Sequence, residues 1–93
     1  MSWTLLFTER YSRRAARFLK RHPELRDTYR KTLLLLEANP RHSSLRLHAL
    51  KGRLQGLHSV LINISYRITL ELIIDGQRLI PIDIGSHDAV YRS

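Results

Sequence analysis

Tyr66-Arg67-Ile68-Thr69-Leu70-Glu71-Leu72-Ile73-Ile74, followed by Asp75-Gly76-Gln77, decides the fold. Tyr66, Ile68, Leu70, Leu72 and Ile74 fall on one side, and Arg67, Thr69 and Glu71 on the other. That is the period of a strand with one buried face. Asp75-Gly76-Gln77 reads as a turn. Ile80, Ile82 and Ile84 then give the apolar side of a last strand, with Asp83 opposite. A three-residue loop, left-handed at Gly76 or Gln77, brings these isoleucines onto the face of Leu70 and Leu72. Arg67, Thr69, Glu71 and Asp83 share the other face, and His87, just past the strand, can fold over it.

Working outward, Leu57 to Ile64 is a third strand candidate, apolar on both sides, so the face of His58 stays open. Arg41 to Gly56 is a basic connector without an acidic residue. Before it, Leu25, Tyr29, Leu33 and Leu36 recur at helical spacing up to Asn39-Pro40. Glu9 to Arg21 forms an earlier helix, with Tyr11, Ala15, Phe18 and Leu19 on its apolar face. Arg10, Arg13, Arg14, Arg17, Lys20 and Arg21 occupy the rest. His22-Pro23 divides the helices, and Thr8, ending a short strand from Thr4, can cap the first. The order β-α-α-β-β-β describes one α+β domain over residues 1–93. A helical hairpin packs on one face of a small, antiparallel-rich sheet, and the other face is open.

Ninety-three residues with no cysteine exclude disulfides and thiolate metal sites, and 43% hydrophobic residues exclude disorder. The stretch from Leu57 to Ile74 contains His58, Asn63, Arg67 and Glu71, so it cannot span a membrane. Met1 to Phe7 lacks the pattern of a signal peptide, and a cytoplasmic protein is expected. Sixteen Lys and Arg against eight Asp and Glu give +8, and the excess is uneven. Residues 1–56 carry thirteen basic and four acidic side chains, whereas 57–93 carry three and four. Arginine predominates, and its planar fork grips phosphate in two places. A polyanion is the expected partner, nucleic acid first, with an acidic protein as the alternative. His22, His42, His48, His58 and His87 show no paired spacing, so no metal and no cofactor are expected.

Leu47-His48-Ala49-Leu50-Lys51-Gly52, Gly56, Ser59-Val60, Asn63 and Tyr66-Arg67-Ile68-Thr69-Leu70 together resemble the RelE/ParE toxin superfamily, nearest its HigB and YafQ branches. Ile84-Gly85-Ser86-His87-Asp88-Ala89-Val90-Tyr91 is similar to the YafQ ending. The resemblance is close over the second half of the chain and extends to the first by layout only. It implies the toxin of a type II toxin-antitoxin pair, a ribosome-dependent endonuclease that cuts messenger RNA and stops translation. The ribose 2′-hydroxyl would attack its own 3′-phosphate without a metal. The implied partners are the ribosome, its message and a cognate antitoxin, the toxin being a monomer alone and a hetero-oligomer with its antitoxin.

The resemblance makes His87 a proton-transfer group, Arg67 the phosphate-stabilising arginine, His48 a second acid–base group and Tyr91 a base-stacking aromatic. Lys51, Arg46 and Arg53 would hold RNA phosphates. Read without it, His87 is a surface histidine, Arg67 pairs with Glu71 or Asp83, His48 bonds backbone, and Tyr91 anchors a core. Ser65 and Leu61 stand where the YafQ branch has an acidic residue and a histidine. His58 and Val60 stand where RelE has lysines. The division of acid and base roles is therefore open. Two other functions compete: a ParE-type DNA gyrase inhibitor without RNase activity, and a non-catalytic nucleic-acid binder.

Overall fold

A computed structural model describes residues 2–86, which form two helices on a five-stranded mixed sheet. The first helix, α1 (Glu9–Arg21), begins where expected, because the Thr8 hydroxyl accepts the Tyr11 N–H at 3.1 Å. It ends at His22, whose N–H donates to the Phe18 carbonyl. Pro23–Leu25 then forms a 3-10 turn, and α2 (Arg26–Ala38) follows it and stops before Pro40. The N-terminal strand, β1 (Thr4–Leu5), is shorter than its apolar run.

Four further strands complete the sheet: β2 (His48–Ala49), β3 (His58–Leu61), β4 (Tyr66–Ile73) and β5 (Arg78–Ser86). Their spatial order is β1-β5-β4-β3-β2, parallel between β1 and β5 and antiparallel elsewhere. The sheet therefore has one strand more than expected. The extra one, β2, lies in the basic connector, where two residues leave no alternation to read.

Tyr11, Ala15 and Phe18 of α1 and Leu36 of α2 pack on Val60, Ile62, Ile68, Leu70, Leu79 and Ile84. Leu19, Tyr29 and Leu33 are partly buried against the same core. The register corrects the expected last hairpin. Ile73 pairs with Arg78, so four residues, Ile74 to Gln77, make the loop, and Gly76 and Gln77 both have positive φ. An even loop sets Leu79 opposite Leu72 and Pro81 opposite Leu70, and Ile80 goes to the other face. A bulge at Ile82 then shifts the pairing, so that Ile84 meets Ile68. Ile84 lies on the expected face; Ile80 and Ile82 do not. Pro81, fully buried beside the bulge, has no N–H to give to a regular ladder.

Candidate functional site

Side chains directly opposite in an antiparallel pair share a face. The register therefore aligns His48, Ser59, Thr69 and Asp83 across β2, β3, β4 and β5. In the next row, Leu61, Arg67 and Gly85 are partners, and Arg67 lies on the same face as Thr69. That face is not open at its centre, as the alternation alone suggested. Ser59 and Thr69 are buried, and Leu54 of the connector and Leu57, just before β3, share a cavity of about 440 Å3 with Thr69, Ile82 and Asp83. Neither does Asp83 join Arg67: its carboxylate accepts the Ile84 N–H and pairs with Arg14 of α1 at 3.1 Å.

Arg67 is half-buried and lines a cleft of about 500 Å3 with Arg46, Ser44, Leu61, Asn63 and Ile64. The hairpin beside it is built by Asn63, whose Oδ1 accepts from both the Ser65 and Tyr66 N–H groups at 2.9 Å. That closes the β3–β4 turn and leaves Ile64 almost wholly exposed at the rim. Arg46 reaches the cleft from a left-handed residue (φ 50°) that ends a 3-10 turn. The Arg67 Nε, Ser59 Oγ and Thr69 Oγ1 are buried without a hydrogen-bond partner among the described residues. Each such group costs about 1–3 kcal/mol, a burden more often found where function has set the residue.

His48 is exposed on the same face as Arg67, two strands away and one row along. Strand geometry puts their Cα atoms roughly 12 Å apart, within the reach of an arginine and an imidazole converging on one phosphate. Its Nδ1–H donates to the Arg46 carbonyl at 3.1 Å, which leaves Nε2 as the acceptor of the neutral ring. Arg46 is thus bonded to one candidate and lines the cleft of the other. Sequence reasoning placed it only among the phosphate-holding residues of the connector.

His58 pairs with Leu70, so it sits on the helix side of the sheet, away from Arg67. Burial, then the nearby charges of Arg41 and His48, lower its pKa below that of a free histidine. Lys51 and Arg53 line a separate cleft with Leu50 and Leu54, so they are not brought to Arg67. His87 and Tyr91 lie outside the described residues. Gly85, the β5 partner of Arg67, is two positions before His87 in the chain. Asn63 and Ser44 were missed as site residues; the only signal was Asn63's place before Tyr66-Arg67.

Among the described residues no helix is long and apolar enough to cross a membrane. The sequence matches no family model and no curated protein. Its fold matches solved structures. YafQ from E. coli strain BL21(DE3) superposes with a TM-score of 0.78 at 16% identity, over 96% of this chain and 98% of that one. The E. coli DinJ-YafQ toxin-antitoxin complex gives 0.76 at 18% identity, over 98% and 99%. A YoeB/ParE toxin from Agrobacterium tumefaciens gives 0.70 at 21% identity, over 90% and 98%. The chain has the fold of these toxins.

Proposed function

We propose that this chain is itself a toxin of the RelE/ParE superfamily, an endoribonuclease that cuts messenger RNA on the ribosome and is held in check by an antitoxin. The carrying observation is that Arg67 and Arg46 line one cleft while His48 shares the face of Arg67. Cleavage by the 2′-hydroxyl needs a base at that oxygen, fixed positive charge on the phosphorane, and an acid at the departing 5′-oxygen. Arg67 supplies the charge, with Arg46 beside it. His48 and His87 supply the proton transfers, and the products are a cyclic phosphate and a free 5′-hydroxyl. Tyr91 stacks on a base. Lys51 and Arg53, in their separate cleft, hold the RNA backbone farther along.

The antitoxin is expected to present acidic residues to a domain with a net charge of +8. The DinJ-YafQ complex is a toxin of this fold bound to its antitoxin, which supports such a partner. Cytoplasmic action follows from the ribosome as target.

The test is to map 5′ ends on messages after brief induction. Cuts only in translated RNA are expected from the native chain. Arg67→Ala should lower cleavage about 100- to 1000-fold and His87→Ala by at least about 100-fold, with circular dichroism unchanged. Full cleavage by both variants would defeat the assignment. Leu61 faces Arg67 where the YafQ branch has a histidine, and this favours a second reading, gyrase inhibition without RNA cleavage. DNA-damage induction with intact messages would select it.

A further inference from the structure

A cleft of about 530 Å3 lies apart from the one that holds Arg67. It lies between α1 and the ends of β4 and β5. Arg14, Arg17 and Arg21 follow one another along α1 at spacings of three and four residues, so they form one row on its surface. Phe18, His22 and Tyr66 make a triangle of rings beside that row. His22 stands 4.7 Å from each of the other two, and Phe18 meets Tyr66 edge-on at 5.1 Å. Phe18 is buried, which fixes the base of the triangle, whereas His22 and Tyr66 are half-buried and line the cleft.

We propose that this cleft is a second RNA-binding site, which stacks an unpaired base on His22 and Tyr66 and grips the adjoining phosphates with Arg17 and Arg21. Aromatic faces beside a row of guanidinium groups are the two elements that single-stranded RNA requires. Arg17 and Arg21 are exposed, and no ion pair engages either within the described residues. Arg14, by contrast, is tied to Asp83 at 3.1 Å. Gly85 lines this cleft and is also the strand partner of Arg67, so the two clefts flank the same end of the sheet. An acidic protein segment would satisfy the arginines but gain nothing from the rings.

This site rests on RNA being the ligand, as proposed above, and the experiment separates the two claims. The probe is a short fluorescein-labelled single-stranded RNA with 2′-O-methyl riboses, which cannot be cut by its own 2′-oxygen. Fluorescence anisotropy against the full chain should show binding that weakens with salt. Arg17→Gln with Arg21→Gln should reduce the salt slope of log K by about 1.4, two phosphate contacts on a single strand. His22→Ala should weaken binding roughly fivefold or more, without changing the slope. Asp83→Asn keeps an acceptor for the Ile84 N–H while releasing Arg14, so binding should tighten.

Unchanged affinity in the arginine double variant, with its thermal midpoint preserved, overturns the proposal. So does polyglutamate that binds the native chain as tightly as the RNA and loses as much affinity in His22→Ala. Loss of probe binding in Arg67→Ala alone would reject this cleft and leave the cleavage reading standing. Loss in the α1 variants, from a chain that never cuts a message, would do the reverse.

Discussion

Arg67 shows how a single residue joins fold and site. Its alternation with Ile68 and Leu70, both fully buried, puts it on the opposite face. Its half-buried stem places it in a cleft with Arg46. His58 has the reverse lesson. The resemblance sets it where RelE has a lysine, yet its pairing with Leu70 turns it to the helix side. Its lowered pKa carries a consequence for stability. The unfolded chain takes up a proton near pH 6.5, the folded chain only at lower pH, so the unfolded state binds more protons in that window. Stability should therefore fall as pH drops below about 7. His58→Gln should flatten part of this decline, read as the urea midpoint between pH 7 and pH 5. An unchanged pH slope would remove His58 as its source.

At the scale of elements, the two hairpins differ in how they were legible. Asn63 closes the β3–β4 turn by accepting two backbone N–H groups, a role its residue type suits well. Asn63→Ala should cost about 1–2 kcal/mol, read from chemical denaturation, because it strips the acceptor from both. On the proposed function it should also lower RNA cleavage, since that turn forms one wall of the Arg67 cleft. The β4–β5 hairpin has one loop residue more than the alternation predicts. Pro81 carried the warning: a proline inside a strand that is paired on both sides argues for a bulge. Because the bulge restores the parity that the even loop shifts, Ile84 reaches the core while Ile82 is left 36% exposed.

Over the whole molecule, one apolar layer between the helices and the sheet holds the basic surface in shape. Leu79 is fully buried within it, next to Leu72 across the hairpin. Leu79→Ala should therefore cost about 2–5 kcal/mol, enough to threaten the native state of so small a domain. Calorimetry should show a lower thermal midpoint, and its recovery on adding the proposed antitoxin would show that such a partner binds the folded chain. The +8 charge acts at this scale as well, because neither cleft alone accounts for the thirteen basic residues of the first 56. Its spread over α1, α2 and the connector is what a polyanion as large as the ribosome would meet.

The sequence by itself determined the helices, the alternating strand and the charge, because each is written in local periodicity or simple counts. Both ends of α1 could be read from Thr8 and Pro23, and the core face of β4 from every second residue. Only the tertiary structure decided which distant residues meet. Strand register, the bulge beside Pro81 and the cover over Thr69 depend on pairing between segments far apart in the chain. For that reason Arg46 joined Arg67, Lys51 and Arg53 did not, and the arginine row of α1 acquired its aromatic neighbour Tyr66.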